Sequence, residues 1–448
     1  RLNTDRESLT LFGKVEHDAG AAVLRGSLLH VGNAKGIAPE SHIEPGDARF
    51  WRYPNTRFTL GSLAAQAERA AMGGMVDVQG VAWGQLHHQQ ISQYPDARFQ
   101  VANEIQDDDD VSGGLRLGVA FERAERLIRV RTDLLASQHD QTDVDQRDLS
   151  SVVSTESSYQ LIQGGVGAEW EERLGAGRKW LVGGGVGVEG VATPKTGDKP
   201  PRDPQVSWTA SLTTGTRIGA TSLRLSAARK VRFPTPRELF GEAIGRFLLN
   251  PDLRPETIYQ SELTASTSTR SATLEAAVFA RRSTDAIDQL RVRVDGVTLR
   301  QRINLDGSRT IGVSLNGTAR ANRLTLSANA TLQHSEGKTD DGWQARTEVP
   351  SFTSFAVATY RARGFSLGLD ARTVAGMRDA PDVDGSRSRL DGGTRIGARA
   401  SHTWFRRRGS LEAFARVDNA LDTAVFPQAG LPLPGRTASL GVRLSGNL

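Results

Sequence analysis

Residues 324–333 alternate without a break. Leu324, Leu326, Ala328, Ala330 and Leu332 form one set, and Thr325, Ser327, Asn329, Thr331 and Gln333 the other. Successive side chains of a strand point to opposite faces, so a period of two gives this segment one apolar face and one wet face. Residues 311–320 repeat the pattern, with Ile311, Val313 and Leu315 set against Ser314, Asn316 and Thr318. From Ile128 the wet face carries Arg129, Arg131 and Asp133. About 19 such segments, most of about 10–16 residues, run through the chain, whereas strands of soluble domains are nearer 5–6. A tilted strand crossing a bilayer needs about 9–11. Sustained helical periodicity is missing.

The connections alternate in length. Short turns are expected near residues 17–21, 70–74, 124–126, 171–178, 218–221, 269–271, 321–323, 363–364 and 406–409. Long connections are expected near 32–55, 88–110, 140–157, 193–204, 231–256, 336–349, 377–389 and 419–434. Tight turns at one end and long loops at the other describe an outer-membrane barrel, with the turns periplasmic and the loops extracellular. A propeller would show a blade repeat, which is not present. One interruption, "VDGV" at residues 294–297, has the Asp-Gly centre of a type I′ hairpin whose strands project beyond the membrane. Trp51, Tyr53, Trp83, Trp170, Trp180, Trp208, Tyr259, Tyr360 and Trp404 fall near strand ends, as girdle residues would.

Composition excludes several classes. The mean hydropathy of −0.39, with no apolar run of 18 residues, rules out a helical span but not a barrel. With no cysteine there is neither a disulfide framework nor a thiolate metal site. The net charge of +5 comes from scattered arginines without a basic block, so no nucleic-acid partner is expected. No GxSxG, HExxH or Walker sequence occurs, and no enzyme is expected.

The long connection "VRFPTPRELFGEAIGRFLLNPDLRPETIYQSEL" is the most irregular stretch. Pro234 and Pro236 remove ladder donors and end a strand. Thr235 is placed to cap a short helix with Pro236 at its first position and Glu238 at its third, a capping box. Leu239 and Phe240 give that turn an apolar face, Gly241 closes it, and a new strand starts near Thr257.

This stretch resembles the signature of TonB-dependent outer-membrane receptors, through Phe233, Pro234, Pro236, Glu238, Leu239, Asn250, Pro251, Leu253, Pro255, Glu256, Glu262 and Leu263. A second stretch, "LEAFARVDNALDTAVFPQAGLPLPGRTASLGVRL", is similar to the last two strands of that family, through Val417, Asn419, Leu421, Asp422, Pro434, Gly435, Arg436 and Gly441. The resemblance covers essentially the whole chain. It implies an all-β fold, a large antiparallel transmembrane β-barrel of 22 strands filled by an N-terminal plug domain. About 19 of those strands are found here, which places the proline-rich loop between the thirteenth and fourteenth. The first three strands, the plug and the coupling box of that architecture are not found, so residues 1–448 are expected to be a barrel incomplete at its N-terminus and lacking the plug. That family usually ends in Phe, whereas this chain ends in Leu448.

Two acidic stretches are expected in extracellular loops: Asp107, Asp108, Asp109 and Asp110 after Glu104, and Asp140, Asp143, Asp145 and Asp148. Clustered carboxylates on a loop suit Ca²⁺, which takes six to eight oxygens, although neither stretch has EF-hand spacing. His87 and His88 are expected as a pair at a strand end. The wet face places Arg129, Arg131, Asp133, Glu275, Arg281, Glu412, Arg416 and Arg443 on the barrel interior. There they pair with one another, pack against a plug or, for Arg129, Arg131, Glu275, Arg281 and Arg416, line a ligand route.

The resemblance implies a receptor for energy-coupled uptake of a scarce ligand such as a ferric siderophore, cobalamin or another metal chelate. Its partners would be a TonB-type inner-membrane energy-coupling complex, lipopolysaccharide or other outer-membrane lipid, and the small-molecule ligand. Surface or outer-membrane proteins would join them if the barrel belongs to a larger assembly. The rival expectation is a structural or assembly barrel without active transport.

Overall fold

A computed structural model describes residues 3–41, 48–241, 247–340, 342–381, 386–406 and 409–446. Parts of the expected connections 32–55, 231–256, 377–389 and 406–409, together with the terminal Leu448, lie outside the described residues.

The chain forms β1 (Arg6–Asp18), β2 (Val23–Gly36), β3 (Phe50–Ala71), β4 (Gly74–Tyr94), β5 (Glu104–Arg123), β6 (Arg126–Asp145), β7 (Val153–Leu174), β8 (Trp180–Thr196), β9 (Gln205–Ile218) and β10 (Thr221–Arg232). Helix α1 (Pro236–Phe240), β11 (Phe247–Leu248), β12 (Glu256–Ser268), β13 (Ala272–Thr284), β14 (Ala286–Val294), β15 (Val297–Leu305), β16 (Gly307–Ala321) and β17 (Leu324–Thr339) follow. The order ends with β18 (Gly342–Ala345), β19 (Phe352–Ala362), β20 (Phe365–Ala375), β21 (Met377–Arg378), β22 (Arg389–Leu390), β23 (Gly393–Arg406), β24 (Gly409–Asp418) and β25 (Thr437–Gly446). Among the described residues the main sheet has 20 strands, while β11, β14 and β15 form a small sheet of their own.

Two compact units divide the chain. The first comprises residues 1–214, 227–259 and 284–304, and the second residues 215–226, 260–283 and 305–448. In the first, β1 to β8 pair antiparallel in sequence order. In the second, β13 pairs with β16, β16 with β17, β17 with β19, and β19 with β20; β20, β23, β24 and β25 continue the run.

The alternation read from the sequence decides what each face meets. Leu324, Leu326 and Leu332 are exposed on β17, and Leu115, Leu117 and Val119 on β5. Large apolar side chains on the outside in such numbers define a surface built for hydrocarbon rather than water. Polar pairs occupy the other face: Thr310 and Ser335 join at 2.8 Å, and Thr318 and Ser327 at 3.0 Å.

Short turns fall where expected, but the first unit's long connections shrink. β4 runs on to Tyr94 and β5 begins at Glu104, while β6 reaches Asp145 before β7 starts at Val153. The acidic stretches are therefore strand rather than loop. Asp107, Asp108, Asp109 and Asp110 lie in β5 opposite Thr142, Gln141, Asp140 and His139 of β6, and Asp143 and Asp145 also lie in β6. Only Asp148 is in a loop. The reason is that these carboxylates find cross-strand partners, such as His87 for Asp110 at 2.8 Å and His88 for Asp109 at 2.9 Å. Of the expected girdle residues, Trp83 sits mid-strand on the polar face and Trp51 is buried, whereas Trp170, Trp180, Trp208, Tyr259, Tyr360 and Trp404 are exposed. The hairpin turn has the expected conformation, with φ 50° at Asp295 and 82° at Gly296.

Leu315 lies on the exposed apolar row of β16 and its neighbour Asn316 on the polar face. Leu315→Arg is expected to cost about 2–4 kcal/mol of folding stability in lipid vesicles. Asn316→Arg should be close to neutral. Equal effects in a vesicle unfolding titration would contradict this assignment of faces.

Candidate functional site

One register row crosses five strands of the first unit. Phe58 of β3 faces His87 of β4, His87 faces Asp110 of β5, Asp110 faces His139 of β6, and His139 faces Tyr159 of β7. The row lies on the polar face. One residue away, on the apolar face, run Arg57, His88, Asp109 and Asp140. Charges in that position mark where the hydrocarbon band has ended, so the site sits outside the membrane-spanning segments, at the long-loop end. His87 and His88 consequently point to opposite faces and are not a pair.

Asp110 accepts from His139 Nδ1 at 2.7 Å and from His87 Nδ1 at 2.8 Å. A carboxylate only accepts, so both Nδ1 atoms carry protons, and the other ring nitrogen of His139 faces Gln141 Oε1 at 3.5 Å. Burial disfavours the Asp110 charge, but the hydrogen bonds from His139 and then His87 outweigh it, and its carboxyl titrates below the usual carboxylate range. Burial opposes the His139 charge too, and the Asp110 hydrogen bond and attraction raise its pKa above the ordinary imidazole value. Asp108, buried beside Gln106, is pushed up by desolvation.

The row ends at an aromatic stack. His139 stacks on Tyr159 at 5.9 Å, and Tyr159 stacks on Phe240 of α1 at 4.6 Å and 4°. Tyr159, Leu239, Phe240, Leu253 and Ile287 form one buried cluster, and Phe233 packs with Leu161 and Val191 in another. Helix α1 carries the expected capping box: Glu238 N donates to Thr235 Oγ1 at 3.3 Å, and Thr235 N to Glu238 Oε2 at 2.9 Å. Gly241 closes the helix by donating to Arg237 O at 3.2 Å, but with an extended backbone of φ −78° and ψ 115° rather than the left-handed conformation common at helix ends.

The rest of the motif loop is tied to the hairpin. Asn250 Nδ2 donates to Arg302 O at 3.0 Å, and Arg254 N donates to Asn304 Oδ1 at 2.7 Å. Asn304 Nδ2 donates back to Arg254 O at 2.9 Å and to Asp285 O at 2.8 Å. Pro251 O accepts from Arg202, Leu253 and Glu256 are buried, and Pro255 is half-buried. Glu262 is exposed on β12 and takes no part in the cap. The motif is therefore a fastening: it holds α1 over the polar row. Asn304, Tyr159 and the two imidazoles were not singled out for this site from the sequence.

Beneath α1 lies a cavity of about 380 Å³, lined by Trp83, His87, Asp108, Asp110, His139 and Arg237 among others. Among the described residues no group of three or more His, Asp or Glu is arranged to hold a metal ion. Strand alternation explains this for Asp107 to Asp110, whose side chains go to opposite faces in turn. The remaining candidates lie elsewhere on the polar face. Arg129 lies 3.7 Å from Glu169 and 3.8 Å from Glu171; Arg131 lines a separate cavity of about 310 Å³ with Glu169 and Glu189. In the second unit Glu275 lines a cavity of about 570 Å³, Arg281 lies on β13, Arg416 pairs with Asp418 at 2.6 Å, and Glu412 pairs with Arg399 at 2.7 Å and Arg443 at 3.6 Å. None of these residues lines the cavity under α1.

The second motif also fastens a loop. Buried Asn419 donates to Thr423 O at 3.0 Å and to Pro434 O at 3.3 Å, and accepts from Thr423 N at 3.0 Å. Asp422 Oδ1 accepts from Arg436 N at 2.7 Å, and a Cβ added at Gly435 would lie 2.6 Å from that oxygen, so a larger residue there would push the carboxylate off this bond.

The TonB dependent receptor-like, beta-barrel family matches residues 31–420, and the chain belongs to that family. It is therefore an outer-membrane barrel whose kind is a transporter rather than an enzyme, working with TonB-type energy coupling and small-molecule ligands. Among curated proteins none matches. Among solved structures the chain is similar to the copper transporter OprC, with 13% identity over 99% of this chain and 72% of that one, at a TM-score of 0.79. It is similar to the ferric citrate transporter FecA, with 12% identity, 100% and 71% coverage and a TM-score of 0.74. The ferric preacinetobactin receptor BauA of Acinetobacter baumannii matches with 12% identity, 98% and 72% coverage and a TM-score of 0.72.

The linked titrations have opposite signs. His139, raised, contributes stability that is complete below its unfolded value and lost as pH rises through its folded value. Asp110, lowered, contributes stability present above the ordinary carboxylate range and lost as pH falls through its folded value. The row is thus firmest between the two. In an NMR titration the His139 ring should show a midpoint above that of a free imidazole, and Asp110→Asn should bring it down; an unmoved midpoint would sink the assignment. Separately, Asn304→Ala removes three hydrogen bonds and should destabilise the cap by about 1–3 kcal/mol. Hydrogen exchange should then quicken in β14 and β15 while β16 and β17 stay protected.

Proposed function

We propose that this receptor takes up a small metal chelate, held first in the cavity beneath α1. The observation that carries this is the cavity's lining, in which imidazoles, carboxylates, glutamines and the Arg237 guanidinium face one space of about 380 Å³ beside Trp83. Concave sites of roughly 300–1,000 Å³ with a few convergent polar groups suit small ligands. The volume is at the small end of that range and favours a compact chelate over cobalamin. Arg237 offers a planar donor fork for a carboxylate or hydroxamate of the chelate, and His87, Gln85 and Gln89 on the lining offer further polar contacts. The names of the similar structures, a copper transporter, a ferric citrate transporter and a ferric preacinetobactin receptor, agree with a metal-bearing cargo for those proteins and support the same class here.

Calorimetry on the purified receptor with ferric citrate, a set of ferric siderophores and cobalamin tests this. At least one ferric chelate should bind, and Arg237→Gln should weaken it by about tenfold, since a lost charge-assisted bond is worth about 1.5–3 kcal/mol. The substitution leaves the helix cap in place, because Gly241 bonds to the Arg237 backbone. Binding of cobalamin alone, or of no chelate, would overturn the proposal.

A further inference from the structure

The short turns of the second unit carry a single sign of charge. Residues 215–223, 266–274, 318–327 and 359–367 contain no Asp or Glu. They contain Arg217, Arg270, Arg320, Arg323, Arg361 and Arg363, all exposed. Among the described residues none of these six forms an ion pair. The first unit differs: at its short turns Arg126 pairs with Glu172 at 2.9 Å and Arg173 lies 3.9 Å from Glu125.

The turns are set side by side by the backbone. Arg320 N donates to Ser271 O at 2.7 Å, and Arg361 N to Arg323 O at 2.9 Å. Repulsion between such neighbours is a cost that an array of unpaired cations incurs unless something anionic lies against it. Arg363 adds a second cost. It has φ 46° and precedes Gly364 at 87°, a left-handed position where Asn or Gly fits with less strain.

Depth identifies the occupant. Tyr360, Phe365, Trp404 and Phe405 are exposed one to a few residues from these arginines. The Phe365 and His402 rings lie 4.2 Å apart, and those of His402 and Trp404 4.5 Å. Exposed aromatics at strand ends sit at headgroup level, so the guanidinium groups beside them lie at the depth of lipid phosphates. Tight turns face the periplasm.

We propose that the short-turn rim of the second unit is a binding surface for anionic phospholipid headgroups of the periplasmic leaflet, with Arg270, Arg323 and Arg363 at the turn tips holding the phosphates. Arg217, Arg320 and Arg361, behind them on the strands, strengthen the field. The rim anchors this side of the barrel to phosphatidylglycerol-type lipid and fixes its depth.

Native mass spectrometry of the full receptor, released from micelles holding equal amounts of phosphatidylglycerol and phosphatidylethanolamine, tests this. The receptor should retain phosphatidylglycerol in excess. The variant Arg270→Gln/Arg323→Gln/Arg363→Asn should lower that preference about tenfold or more, since each basic residue near an anionic surface is worth about fivefold. Lysine at the same three positions should keep it. Heat-modifiable gel mobility reports whether each variant is folded, and Arg363→Asn alone, which relieves backbone strain, provides a smaller drop in a folded protein. Equal retention of the two lipids by the unaltered receptor, as would follow if an acidic protein covered the rim instead, overturns the proposal. So does a preference unchanged in the folded triple variant.

Discussion

Everything in this molecule depends on the rule that no backbone N–H or C=O may be left unpaired in hydrocarbon. A chain that meets the rule with strands must give each a neighbour on both sides and must put its apolar side chains outside. The long antiparallel ladders do the first, and the period of two does the second. The side chains that would form the core of a soluble protein become its exposed surface, and the polar residues turn to the other face. The few buried apolar clusters are correspondingly small, and they lie where the motif loop meets the strands rather than along the sheet.

That division of labour explains why the two motifs are structural. The sheet needs no motif, since alternation alone builds it. The irregular segments have no such rule to follow and are held by individual contacts: Leu253 and Phe240 in a buried cluster, Asn250 and Asn304 on backbone carbonyls, Asn419 bridging its own loop. A capping box on a helix of five residues would be too weak to matter in isolation. Here it sets the direction in which Phe240 meets Tyr159. The site is therefore the product of a packed lid and a row of strand residues, and neither contains it alone.

How much of this could be read in advance follows from the connections. Register within a hairpin is fixed by a tight turn. Counting back from Ala124 and Glu125 pairs Asp110 with His139 from the sequence alone. No such anchor exists between β4 and β5, which are joined through residues 95–103, or between β6 and β7. The meeting of His87 with Asp110, and of His139 with Tyr159, was therefore invisible. The same gap misplaced the acidic stretches. A run of four aspartates reads as loop on propensity, and only the histidines and glutamines opposite them make it acceptable as strand. Asn304 carried no signal, because its bonds all go to backbone atoms far away in sequence.

The strands of the first unit overrun what a bilayer asks of them. β3 through β7 have 20 to 22 residues each, about twice what a membrane crossing needs. The surplus stands above the hydrocarbon as woven wall instead of free loop. A wall has fixed side-chain positions, so a receptor built this way retunes what it accepts by exchanging single residues along a rung, not by lengthening its loops. It also offers proteases outside the cell little slack chain to cut.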